Sequence, residues 1–143
     1  RTINRLRMHR GIKMTPIDVH SLREAVARLK RGGIVVTGVD RPASTDDEHF
    51  LFFGVPAPMP AGPVRLALQT NARIMAACCV QEPDGIYRIH LAPPLEMEHT
   101  GKRADDIRHN EQRLLEIIEG MIRMAPEQWL MFVPVWPEEN TNC

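Results

Sequence analysis

Along the chain, apolar and polar positions alternate in three distinct rhythms, and each predicts an element. Leu22, Val26 and Leu29 fall at i, i+4 and i+7, Ser21 and Glu24 have the spacing of a capping box, and Gly32-Gly33 closes the segment. An amphipathic helix over 21–31 is predicted. Ile34-Val35-Val36-Thr37-Gly38-Val39 is short, β-branched and apolar on both faces, the pattern of a buried parallel strand, and it delivers Asp40 to its C-terminal end. Residues 62–69 read as a helix with Pro63 in its first turn, and Arg73 to Val80 as a second buried strand, which together would make a strand-helix-strand unit. Residues 86–91 alternate as a half-exposed strand does, after the turn Pro83-Asp84-Gly85, so an antiparallel neighbour is expected towards one sheet edge.

From Lys102 to Met124, Ile107, Leu114, Ile117, Ile118, Met121 and Ile122 recur at helical spacing, with Asp105 and Asp106 at the end where a helix dipole favours carboxylates and Arg123 at the other. This is the longest predicted helix. A new segment rich in bulky apolar groups starts at Pro126 and runs to Trp136, and residues 138–143 read as a frayed tail. These elements predict an α/β domain with a mixed, largely parallel sheet flanked by helices. Val35, Val39, Ile74, Ala76 and Cys78 are expected in neighbouring buried strands.

Composition adds one asymmetry. The chain of 143 residues carries 18 basic and 18 acidic side chains, so net charge gives no argument for nucleic acid as a partner. Residues 1–31, however, hold nine basic side chains against Asp18 and Glu24, which leaves +7 there and −7 on the remainder. A solvated face and a surface for anions or membrane both fit that excess. Three cysteines, two of them the adjacent Cys78 and Cys79 in an apolar run, make no disulfide framework. No apolar stretch reaches the roughly 18 residues of a membrane span. The first residue is Arg1, and the pattern is already dense at Leu6 and Ile12, as in a piece of something longer.

Candidate chemistry is sparse. The six histidines show no metal-ligand spacing and no partner cysteine pair, so neither a metal nor a cofactor is expected. Nucleotide-binding glycine patterns and a glycine-flanked serine are absent. Asp40 stands where open α/β sheets bind ligands, with a turn-capping role ahead of Pro42 as the alternative, and Arg41 beside it could balance its charge or receive an anion. Phe50, Leu51, Phe52, Phe53 and Gly54 then meet Pro56, Pro58, Pro60 and Pro63, the makings of a shaped apolar loop; Phe50 and Phe52 could equally fill core.

Five segments in fixed order, "NRLRMHRG", "LREAVARLKRGGIVVTGVDRP", "FLFFGVPAPMPAGPVRLALQTNARIM", "DGIYRIHLAPPLE" and "APEQWLMF", resemble the C-terminal half of the bacterial lipid A late acyltransferase family, related to the phosphatidylinositol mannoside acyltransferases. The resemblance implies a glycerolipid-acyltransferase-like fold, with residues 1–137 as the C-terminal part of a single catalytic domain. It implies transfer of an acyl group from acyl carrier protein or coenzyme A to a hydroxyl of a membrane glycolipid, by a peripheral protein on the cytoplasmic face of the inner membrane, with room for a membrane anchor in a longer parent. Arg7, four residues before Gly11, matches an active-site arginine, Asp40 an acidic position after the central strand, and Phe52, Phe53 and Gly54 the wall of an acyl channel. Arg41 stands where the family usually has glutamine, the loop "PASTDDEH" is polar, and Val133-Pro134-Val135-Trp136 replaces basic residues.

The family's general base is a histidine in an HxxxxD or HxxxxE motif. The residues five after each histidine here are Met14, Ala25, Gly54, Leu95, Ala104 and Leu114, none acidic. The chain alone is therefore expected to be inactive, with a non-catalytic lipid-binding module as the alternative. Exposed apolar surface on the isolated chain is expected to drive dimerisation, lipid binding or aggregation.

Overall fold

The computed structural model describes residues 12, 14–15, 18–42 and 48–136, and the chain divides into two compact units, 1–35 and 36–143. The first unit is built on helix α1, Val19–Lys30. Its cap lies three residues earlier than the Ser21 expected from sequence. The Asp18 carboxylate accepts the Ser21 backbone N–H at 2.7 Å, and the Ser21 hydroxyl accepts the Asp18 N–H at 3.2 Å. A carboxylate is the stronger acceptor, so Asp18 takes the cap and Ser21 the reciprocal position. At the other end the Gly33 N–H reaches the Arg28 carbonyl and the Gly32 N–H that of Leu29, both at 2.9 Å. This double closure needs a left-handed residue, and Gly32, at φ +76°, supplies it.

In the second unit, β1 (Phe50–Phe52) and β2 (Val55–Ala57) form a hairpin, α2 spans Gly62–Thr70, β3 (Ala77–Gln81) pairs with β4 (Tyr87–Leu91), and α3 runs over Arg103–Met124 into a 3-10 turn at Pro126–Gln128. Both two-stranded sheets are antiparallel. The β3–β4 turn is the expected Pro83-Asp84-Gly85: Gly85 at φ +80° donates to Glu82 O at 2.8 Å, and Glu82 N–H closes on Ile86 O at 2.9 Å.

The parallel pairing expected from sequence is not formed among the described residues. Residues 34–39 lie outside any strand, with Ile34 76% and Val36 91% exposed, and Val35, Val39, Ile74, Ala76 and Cys78 are half-buried. At the free edge of β3, one residue is closed by a side chain. The Gln128 side-chain amide accepts the Gln81 N–H at 2.8 Å and donates to its carbonyl at 2.9 Å, occupying hydrogen-bonding groups that a further strand would use. On one face of the hairpin, Ala77, Cys79, Tyr87, Ile89 and Leu91 are all exposed, an apolar layer of the kind that sheets bury.

The core sits between the first hairpin and α3. Phe50, Phe52, Ala57, Met59 and Val64 pack with Ile107, Leu114, Leu115 and Ile118. Ile107, Leu114 and Ile118 were expected on the buried stripe; Leu115 joins them, and so does Glu111, at 107+4 and 115−4. Glu111 is fully buried, and neither carboxyl oxygen finds a hydrogen-bond partner among the described residues. Desolvation, helped by nearby Glu48 and opposed by Arg65, pushes its carboxyl up to about 8 from the ordinary 4.5.

A raised carboxyl binds more protons folded than unfolded, so its contribution is fully present below about pH 4.5 and is lost as pH rises through about 8. Glu111→Met, close in volume and without a charge, is expected to be more stable than the parent by an amount that widens with pH, reaching on the order of 4 kcal/mol above pH 8. Denaturant midpoints of both proteins at pH 5 and 8.5 check this; an equal difference at both values would contradict it.

Candidate functional site around the Phe53-Gly54 turn

Two residues, Phe53 and Gly54, connect β1 to β2, with Phe52 facing Val55 across the closing pair. Both have positive φ, +52° and +79°, the signature of a type I′ turn, whose twist suits a two-residue hairpin. Gly54 adopts this conformation freely, whereas Phe53 pays about 1–2 kcal/mol for it because its Cβ crowds the following carbonyl. Something must hold Phe53 there.

Helix α3 does so. The Phe53 N–H donates to Glu119 Oε1 at 2.7 Å, and Arg123 Nη2 donates to Glu119 Oε2 at 2.9 Å. The Arg123 guanidinium lies 4.8 Å above the centre of the Phe53 ring, at cation–π distance. Glu119 and Arg123, one helical turn apart, thus grip the backbone and the ring of one residue. About two turns before Glu119 on α3, the Gln112 amide accepts the Leu51 N–H at 3.1 Å and donates to its carbonyl at 2.9 Å. Leu51 and Pro56 form the pair whose backbone groups point out of the hairpin, so Gln112 satisfies Leu51 and the missing N–H of Pro56 costs no ladder bond.

Aromatic rings complete the arrangement. Phe52 and Phe53 meet edge to face at 4.8 Å, Trp136 stacks on Phe52 at 6.2 Å, and Trp129 lies 6.0 Å from Phe52 and 6.3 Å from Phe53. Each indole N–H has a partner: Trp136 donates to the Phe52 carbonyl and Trp129 to Asp40 Oδ2, both at 3.0 Å. Val39, next to Asp40, packs on the same core.

Of the residues singled out from sequence, the structure therefore brings Asp40, Phe52, Phe53 and Gly54 together. Phe50 and Phe52 are core, Phe53 is half-buried, and Gly54 is exposed. Arg41 is exposed beside Asp40, and Arg7 lies outside the described residues. Sequence reasoning missed Glu119, Gln112 and the direct partners of Trp129 and Trp136. The i,i+4 charge pair of Glu119 and Arg123 was visible, but its target 66 residues away was not. A cleft lined by Asn71, Arg73, Pro94, Glu96 and His99 contains none of these residues. Among the described residues, no three His, Cys, Asp or Glu side chains come together as a metal site, and no helix is long and apolar enough to cross a membrane.

Two substitutions test the grip on the turn. Gly54→Ala meets no atom within 4 Å, so its expected cost of about 1–2 kcal/mol comes from φ alone. Glu119→Ala removes a charged acceptor from a strained amide and is expected to cost about 2–3 kcal/mol. Because Trp129 and Trp136 are the chain's two tryptophans and both touch the Phe52-Phe53 pair, Glu119→Ala is also expected to shift indole emission of the folded protein, which fluorescence measures alongside the unfolding midpoint.

The model of the bacterial lipid A biosynthesis acyltransferases matches residues 1–138. Among curated proteins, a phosphatidylinositol mannoside acyltransferase of Mycobacterium tuberculosis is 28% identical over 109 residues, which cover 76% of this chain and 33% of that protein. Its counterpart in Mycolicibacterium smegmatis is 32% identical over 85 residues, 59% of this chain and 26% of that protein. The chain spans about a third of the length of the curated relatives it matches.

Proposed function

Because the chain belongs to the bacterial lipid A biosynthesis acyltransferase family, we propose that it supplies the acyl-chain wall and part of the polar rim of an enzyme that transfers a fatty acyl group from an acyl thioester to a hydroxyl of a membrane glycolipid. The observation that carries this reading is the Phe53-Gly54 turn, an aromatic residue held at positive φ by Glu119 and Arg123, with Trp129 joining it to the Asp40 carboxylate. Strained backbone of this kind persists where the surroundings over-determine it, and such positions cluster at sites that bind or react.

In the proposed reaction the acceptor oxygen attacks the thioester carbonyl, a general base takes the hydroxyl proton, and the thiolate of acyl carrier protein or coenzyme A departs. The side chains of Phe53 and Trp129, backed by Phe52, line the path of the hydrocarbon. Arg41 offers a guanidinium group to a phosphate or to the oxyanion that forms at the carbonyl, the chemistry that the resemblance also implies for Arg7. Asp40 serves as an acidic group of the site, its carboxylate oriented by the Trp129 indole. The reading assigns this work to the cytoplasmic face of the inner membrane, with the protein bound peripherally, as the resemblance implies. Leu130, Phe132 and Val133, which follow Trp129 in the chain, are an exposed apolar lip.

The finer fold belongs to the same proposal. The apolar run 34–39 and the uncovered face of the β3–β4 hairpin are pieces of a larger, mainly parallel sheet, which further sequence of the kind the longer relatives possess would complete. The lack of an acidic residue five positions after any histidine favours a second reading, a lipid-binding module without catalysis.

Palmitoyl-coenzyme A is the probe that tests the wall. It is expected to change the emission of Trp129 and Trp136 saturably, Phe53→Ala to weaken this at least fivefold, and coenzyme A without the acyl chain to have no effect. The chain alone is expected to transfer no acyl group to a glycolipid acceptor, since no base of the HxxxxD or HxxxxE type is present in it. Binding unchanged by Phe53→Ala would remove the acyl-wall reading, and transfer by the purified chain would remove the reading of a missing base.

A further inference from the structure

The acyl-transfer reading leaves the basic end of the chain unused. Helix α1 has twelve residues, about 18 Å or three turns, and none of its side chains is buried. At 100° per residue, Val19, Leu22, Val26 and Leu29 occupy one arc of about 80°, with Ala25 extending it. Val19 is 67% and Leu22 51% exposed, and Ala25, Val26 and Leu29 are half-buried. Arg23 and Lys30 border this stripe on one flank, with Arg31 following at the cap, whereas Arg28 lies about 100° beyond Leu29 and its Nε donates to the Ile34 carbonyl at 2.7 Å.

The acidic groups of this segment are engaged locally. Asp18 is committed to the cap through the Ser21 N–H and hydroxyl, and Glu24 lies 3.5 Å from His20. Among the described residues no carboxylate pairs with Arg23, Lys30 or Arg31. The sequence before the helix adds Arg1, Arg5, Arg7, Arg10 and Lys13 and no acid.

We infer that α1 is an interfacial helix that docks on an anionic lipid surface, its Val19-Leu22-Val26-Leu29 stripe entering the boundary between headgroups and acyl chains from its exposed Val19-Leu22 end while Arg23 and Lys30 reach the headgroup phosphates. A stripe this short binds weakly by itself, and the cations supply the remainder at about fivefold in partitioning per charge near the surface. Long basic side chains suit the flank because their stems lie along apolar material while their heads stay in water. The apolar stripe beside the cations selects a lipid surface over nucleic acid, which would engage the charges alone. This inference rests on α1 and not on the acyl-transfer reading.

Flotation of the whole chain with vesicles of phosphatidylcholine, with and without 30% phosphatidylglycerol, tests it, using three variants whose folding is checked by circular dichroism and unfolding midpoint. Binding at least tenfold stronger to the anionic vesicles is expected, with a loss of tenfold or more in Arg23→Gln/Lys30→Gln and a loss of similar size in Leu22→Ser/Val26→Ser. Phe132→Ser, at the lip near Trp129, is expected to leave flotation unchanged. Equal binding to both vesicle types would overturn the inference. So would flotation that only the charge variant reduces, which is adsorption of any polyanion, or flotation lost in Phe132→Ser and kept in both α1 variants, which would put the contact at the lip.

Discussion

The hydrogen bond from the Phe53 amide to the Glu119 carboxylate is the contact on which the second unit turns. It spans 66 residues, joins the tip of the first hairpin to α3, and holds a bulky side chain in a backbone region that hard-sphere contacts disfavour. Arg123 reinforces it twice, as counter-charge to Glu119 and as a cation over the Phe53 ring. With the turn fixed, Phe52 is driven into the core beneath it and Phe53 is left at the surface of that core, where the two indoles meet both rings. The candidate site is therefore an outgrowth of the packing between one short hairpin and one long helix.

Small sheets have an edge problem, and this unit manages it with side chains. A three-residue hairpin exposes backbone groups that water or another strand would otherwise take. Gln112 on α3 closes Leu51, and Gln128 on the 3-10 turn closes Gln81, each through both the N–H and the C=O of one residue. A primary amide presents a donor and an acceptor side by side, as a strand does. The second of these contacts also leads into Trp129 and so to Asp40, which links the edge of β3 to the site by consecutive residues. In contrast, the outer face of the β3–β4 hairpin remains apolar and open.

Chemistry follows from this arrangement in a graded way. Membership in an acyltransferase family makes acyl transfer the frame of the proposed function, in which the aromatic turn is assigned to a hydrocarbon chain. Asp40 is a carboxylate tethered by an indole N–H. Glu111 is a carboxyl of the opposite kind, buried without a partner on the stripe where an apolar residue would be expected, so the same helix carries one carboxylate that organises the turn and one that destabilises the core as pH rises.

What the sequence determined by itself was local. The long helix over 103–124, the helix with Pro63 in its first turn, the hairpin around Pro83-Asp84-Gly85 and the turn at Phe53-Gly54 are all written in periodicity and turn residues, whose effects act within a few positions of the chain. The ordered motifs also identified the family that the match over residues 1–138 bears out. Tertiary structure alone decided which polar side chains reach across it: Glu119 to Phe53, Gln112 to Leu51, Gln128 to Gln81, Trp129 to Asp40. It also decided that residues 34–39, β-branched and apolar on both faces, take no strand pairing among the described residues, because a strand is a property of its ladder partners and not of its own residues. Propensity proposes such a run, and only a neighbour with free backbone groups can accept it.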